Sequence, residues 1–218
     1  MKFSPKKSVH ALSLTALVLM AVLVGCSSEA DGNPELEDTT DASSPEPTEY
    51  VPASAEGPAQ NVPEPEFPTA TKENSIEGAQ STLKYFWKAV DYGRLTGDTT
   101  HAERVASDDC DLCTDLVTGW RQVYEEESWA ALHGEMQLWV NEVNLSRLDA
   151  ASPDRAEISF SMTEPPVDFY EDGKLLEEES FDSESSADWW AQLVFDGTAQ
   201  SWQIEWVGLE SQVLEDEN

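Results

Sequence analysis

From residue 72 onward the apolar positions fall into two regimes. Ile76, Ala79, Leu83, Phe86, Trp87 and Val90 recur at three- and four-residue steps, the spacing that gathers apolar side chains on one stripe of a helix. Asn74 and Glu77 resemble a capping pair at its start, and Gly93 supplies a stop. Thr100 and Glu103 begin a second, shorter helix in the same manner. Leu112, Leu116, Trp120 and Val123 lie along one face of a third, from near Cys110 to about Glu126. After residue 134 the period becomes two: Met136, Leu138 and Val140, then Ala156, Ile158, Phe160 and Met162, point to one side of successive strands.

Turn chemistry organises the second half. Asp172-Gly173 joins 167–171 to 174–181 as a two-residue hairpin turn, since both residues tolerate positive φ, and a last hairpin pairs 189–195 with 202–207 across Asp196-Gly197. Pro165 and Pro166 cannot donate to a ladder and mark a boundary or an edge. Three helices followed by a meandering sheet predict an α+β domain, three N-terminal helices packed on a curved antiparallel sheet, over residues 72–218.

The chain ahead of that domain divides in two. Lys2, Lys6 and Lys7, an apolar stretch from Ala11 to Val24 and a small-residue exit have the three parts of a secretory signal, 1–25. The apolar stretch falls short of the roughly 20 residues that span a bilayer. Leu23-Val24-Gly25-Cys26 resembles the lipobox of bacterial lipoproteins, which implies that Cys26 becomes the acylated first residue of the mature chain. More than one acyl chain gives near-permanent anchoring, so the expected location is the extracytoplasmic face of the cell membrane. Residues 27–71 hold eight of the twelve prolines and eleven acids without a Lys or Arg. Such a composition predicts a disordered acidic linker over 26–71, with a reach of about 40 Å as a coil and about 140 Å if extended.

Removal of the signal's three lysines moves the net charge from −32 to −35. This field opposes nucleic acid and anionic lipid headgroups, both of which require Lys and Arg. The expected partners are therefore the membrane through the anchor, and a small ligand or an envelope protein.

Glu77-Gly78-Ala79, Tyr85-Phe86-Trp87, Asp91-Tyr92, Thr96-Gly97-Asp98 and the pair Cys110 and Cys113, behind a lipobox and an acidic linker, resemble a family of actinobacterial lipoproteins of no assigned activity. The resemblance spans roughly residues 62–125. That family is similar in layout to the cone-shaped fold of nuclear transport factor 2 and the SnoaL-like polyketide cyclases, in which helices close a curved sheet around a pocket. The resemblance therefore implies a cone-like domain and transfers no catalytic residue.

Enzymes on such folds need a carboxylate or His tuned in an apolar pocket and a donor such as Tyr. Asp91, His101, His133, Asp168, Tyr92 and Tyr170 are the candidates, and no spacing joins them into a constellation. An isomerase- or dehydratase-like enzyme and a passive envelope spacer stand as alternatives to a non-catalytic binding domain. In an oxidising compartment, with Cys26 acylated, Cys110 and Cys113 are expected to pair as a disulfide, one helical turn being within bridging distance. A redox C-x-x-C is the alternative, opposed by the acidic Ser107-Asp108-Asp109 ahead of it.

No cofactor or metal is expected. Cys110, Cys113, His101 and His133 match no zinc spacing. Asp109, Asp111 and Asp115 lack the glycine of a calcium hand and have Trp120 where its glutamate belongs. All eight tryptophans lie beyond residue 72. Trp120, Trp139, Phe160, Trp202 and Trp206, with Tyr92, are the residues expected to fill the core or to line an apolar pocket.

Overall fold

The computed structural model describes residues 49–147 and 154–210. The signal segment, the lipobox Cys26 and the first part of the linker lie outside the described residues, all of which belong to one unit, Thr48–Asn218.

Helix α1, Ile76–Thr96, buries Ala79, Leu83, Phe86, Ala89 and Val90 along one stripe, as their spacing predicts. Its N-cap is Ser75, whose side chain accepts from the Gly78 amide, rather than Asn74. The stop also moves: Gly97, with φ 75°, caps the helix, while Gly93 stays inside it, packed against Thr99. A 3-10 turn, Thr69–Lys72, precedes α1. Gly78 is required at this junction, because a Cβ there would stand 2.0 Å from the Glu73 carbonyl oxygen and 2.9 Å from Trp202 Nε1. Helix α2 is a single turn, Thr100–Glu103, so Glu103 ends it instead of starting a longer one. Helix α3, Asp111–Glu125, has Cys110 as N-cap. The Cys110 and Cys113 sulfurs stand at disulfide distance, 2.07 Å, with both residues buried. Closing so short a loop contributes about 2 kcal/mol by chain entropy.

Among the described residues seven strands follow: β1 Ser128–Leu132, β2 Gln137–Arg147, β3 Asp154–Glu164, β4 Val167–Glu171, β5 Lys174–Leu175, β6 Ser185–Asp196 and β7 Ser201–Leu209. They form two antiparallel sheets, β1-β4-β5 and β2-β3-β6-β7, so the chain is a mixed α+β protein. Pro165 and Pro166 fall where it leaves the larger sheet for the smaller. On β3 the alternate residues Ala156, Ile158, Phe160 and Met162 are all buried, and they meet the apolar stripe of α1 in the main core.

The two hairpin turns differ. Asp172 and Gly173 both have positive φ, 52° and 73°, as a two-residue turn demands. The second is a four-residue connection, 197–200, between the paired residues Asp196 and Ser201. There Asp196 accepts from the amides of Thr198 and Ala199, and the left-handed residue is Gln200.

The linker boundary at residue 71 is corrected. Residues 49–71 are part of the folded unit: Val51 and Gln60 exchange backbone hydrogen bonds, and Trp129 Nε1 donates to the Ser54 carbonyl. Phe67 packs edge-on against Tyr85, and Pro65 and Thr71 are buried. A few apolar anchors hold this segment despite its average polarity, since β1 and α1 supply the surface that it lacks alone.

Candidate functional site

Segment 50–65 and α1 line opposite parts of one cavity of about 770 Å³. Tyr50, Pro52, Val62, Pro63 and Pro65 form the roof. One wall is a second stripe of α1, Lys84, Trp87, Lys88, Asp91, Tyr92 and Leu95, whose steps of three and four residues place it beside the core stripe. The other wall comes from the end of β1 and the approach to β2: Leu132, Gly134, Glu135, Met136 and Leu138.

The lining is apolar with a few polar groups. Trp87 is buried, and its Nε1–H has no protein acceptor. Lys84 and Lys88, one turn apart, are exposed. Only four lysines lie beyond the signal segment, so two of them border this one cavity.

Behind the α1 wall lies a partly buried charge cluster. Arg94 Nη1 stands 3.4 Å from Asp91 Oδ1 and 3.5 Å from Glu164 Oε1. Its guanidinium carbon sits 5.3 Å from the centroid of the Trp120 ring. Tyr124 Oη donates to the Arg94 carbonyl at 2.9 Å. Burial pushes the Asp91 carboxyl up to about 6; Arg94 and the Met136 amide oppose the shift, and the Glu164 charge adds to it. Native Asp91 thus holds its proton more tightly than the unfolded chain does, so stability falls as pH rises from about 4 to about 6. The Asp91→Asn variant gains on the parent by up to about 3 kcal/mol between pH 4 and pH 7. Denaturant titrations of both at the two pH values test this, and a pH-independent difference would contradict it.

The six catalytic candidates separate into three places. Asp91 and Tyr92 line the cavity. His101 lies behind them, edge-on to the Tyr92 ring, with Nδ1 3.2 Å from Tyr85 Oη and Nε2 3.9 Å from Glu64. His133, Asp168 and Tyr170 meet on the smaller sheet: His133 Nε2 is 2.8 Å from Asp168 Oδ2, to which Tyr170 Oη donates at 3.4 Å. This group lies outside the cavity lining, and the His133 side chain is half exposed. The Tyr92 hydroxyl is shifted upward by burial and by the Asp98 and Glu64 charges.

Of the six expected pocket residues, Tyr92 alone is in this lining. Phe160 and Trp202 are fully buried in the main core, and Trp120 stacks on Phe169 beneath the smaller sheet. Trp139 pairs across from Ser161, and Trp206 from Gln192, on the opposite face of the larger sheet. The set does not converge because strand alternation sends Trp139 outward, and a β-bulge at Glu205 turns Trp206 to the face opposite Trp202. Among the described residues no three His, Cys, Asp or Glu side chains converge as a metal site.

The model of a family of unknown function, DUF6318, matches residues 48–207. The chain belongs to the DUF6318 family. The match begins at Thr48 and so includes the cavity roof of this DUF6318 protein. No curated protein matches it. Solved structures similar to it include the intermembrane-space region of the chloroplast protein ARC6, at 12% identity over 60% of this chain and 95% of that one, TM-score 0.42. An NTF2-like family protein from Streptomyces avermitilis, described as a candidate dehydratase, shares 12% identity over 61% of this chain and 92% of that one, TM-score 0.35. The Kfla4162 protein from Kribbella flavida shares 14% over 62% and 91%, TM-score 0.35.

Sequence reasoning missed Trp87, Lys84, Lys88 and the roof. Trp87 was absorbed into the core periodicity of α1, while the two lysines at i and i+4 in so acidic a chain are a signal that could have marked the rim.

Proposed function

We propose that this DUF6318 protein is an extracytoplasmic lipoprotein, anchored through Cys26, whose cone-like domain binds a small ligand without transforming it. The single observation that carries the reading is the 770 Å³ cavity with apolar walls and an unpaired Trp87 donor, a size and lining typical of small-molecule sites. A ligand with an apolar body and an acceptor or anionic group fits, the body against Trp87, Leu95, Leu132 and Leu138 and the acceptor toward the two rim lysines. The packing of α1 and α3 on one face of the larger sheet supports the cone-like description. Binding is favoured over catalysis because Asp91, the tuned carboxyl in the lining, is paired with Arg94 rather than with a tyrosine hydroxyl.

The test is a fluorescence titration of the mature chain carrying Cys26→Ser with 1-anilinonaphthalene-8-sulfonate, an apolar anion. One saturable site is expected, weakened about tenfold by Lys84→Glu with Lys88→Glu at low salt, since together the reversals turn attraction of the anion into repulsion at the rim. Absence of saturation, or an affinity indifferent to the reversals, would overturn the reading.

A further inference from the structure

The larger sheet has a second face, and it is aromatic. Helices α1 and α3 and the 3-10 turn are the described elements that pack on this sheet, and they lie on the side of Phe160, Leu193 and Trp202. The register places Trp139, Trp190 and Trp206 on the other side: Trp139 opposite Ser161, Trp190 opposite Ser159, Trp206 opposite Gln192. Trp139 is 53% exposed, and the other two are partly exposed. Trp139 and Trp190 are two strands and one outward row apart, roughly 12 Å, and Trp206 is one strand and one row farther, roughly 8 Å. The three rings therefore follow a diagonal, with Ser159 and Ser161 between Trp139 and Trp190, and Gly208 and Gln192 beside Trp190 and Trp206.

The described charges on this face are negative except for Arg155. Glu142 and Glu157 project from it beside the serines, and Asp188 accepts from Ser161, which in turn accepts from Asn141. Its one described cation, Arg155, is bound to Glu205 at 3.1 Å. A β-bulge, where Gln192 pairs with Trp206 and Leu193 with Ile204, places Glu205 and Trp206 together on the outward side. Aromatic faces among carboxylates are complementary to cations: Trp is the strongest π partner for a guanidinium or ammonium, and the carboxylates supply charge-assisted hydrogen bonds.

We propose that this face docks a partner protein through arginine side chains. Arginine is selected over lysine because its planar guanidinium stacks on an indole while its edge engages a carboxylate, whereas the compact ammonium stays hydrated. The interaction is separate from the cavity, which opens on the opposite side of the sheet at α1.

The test separates stacking from bulk charge attraction. The mature chain carrying Cys26→Ser is titrated calorimetrically with nona-arginine and with nona-lysine at 150 mM salt. Attraction to the acidic chain as a whole acts on both peptides alike, so the readout is the ratio of their affinities. The parent is expected to prefer nona-arginine about tenfold. Trp139→Ser with Trp206→Ser removes the preference, and circular dichroism verifies that the fold is kept. Glu142→Gln, Glu157→Gln and Asp188→Asn together weaken nona-arginine more than the same loss of charge at Glu177, Glu178 and Glu179. Equal affinity for the two peptides, or equal loss from both triple variants, would overturn the proposal. So would a dimer that the tryptophan substitutions dissolve, or retention on a neutral glycan that they abolish, since each assigns the face to another occupant.

Discussion

Replacing Arg94 by Met destabilises the chain by about 3–5 kcal/mol at pH 7.5, the usual cost of removing one partner from a buried ion pair. Arg94 is 2% exposed and is the cation between Asp91 and Glu164. Met fills much of its volume against Trp120, so the loss reports the two carboxylates left without a counter-charge rather than a void. The pH dependence identifies the cause. Without the guanidinium, the Asp91 carboxyl, already raised to about 6, rises further. At pH 5 it is protonated in the native state and the penalty shrinks, whereas above pH 7 it is complete. Denaturant titrations at the two pH values measure the difference. The added substitution Asp91→Asn recovers part of the loss at pH 7.5. A loss equal at both pH values, with no recovery, would place the effect in packing alone.

Trp202→Ala costs about 4 kcal/mol, within the range for removing a buried Trp. The side chain is fully buried, and its Nε1 donates to the Glu73 carbonyl at 2.7 Å. It thereby pins the 3-10 turn and the start of α1 to β7, at the place where Gly78 leaves room for the indole. Trp202→Phe keeps most of the ring contact with Phe195 and loses the donor and part of the ring volume, so its cost is smaller, about 2 kcal/mol. Thermal and denaturant unfolding of both variants test the order. Equal costs would mean that the hydrogen bond, not the buried area, carries the effect.

The legible parts of the fold are those in which a local rule is also the global one. The α1 stripe from Ala79 to Val90 and the β3 alternation from Ala156 to Met162 each face one core, so period alone places them. Asp172-Gly173 is a turn whose chemistry is complete in two residues, whereas at Asp196 the side chain builds a longer turn that the dipeptide does not reveal. Strand β1 escaped because Ser128 follows α3 with no Gly or Pro between them; the reversal is made by Glu127 in the left-handed region, φ 57°. Residues 49–71 misled because composition averages over a segment, while Trp129, Tyr85 and α1 hold it at a few points. The tryptophans illustrate the limit for the site: whether Trp139, Trp202 or Trp206 lines a pocket depends on register and on a bulge in β7, neither of which a single strand encodes. The Asp91–Arg94–Glu164 cluster joins one helix to a distant strand and has no local signature.

The cavity reading is tested most directly at Trp87. Its ring lines the cavity and carries a buried indole N–H without a protein acceptor, so a ligand packed against the ring changes the environment of that N–H. In a 15N-labelled sample the eight tryptophans give separate indole resonances, assigned by single Trp→Phe variants. Saturating 1-anilinonaphthalene-8-sulfonate is expected to shift the Trp87 indole resonance most, with Trp139 and Trp206 on the far face of the sheet unmoved. A saturating titration that leaves Trp87 in place, or moves the outward tryptophans instead, would contradict a ligand site lined by α1 and the 50–65 segment.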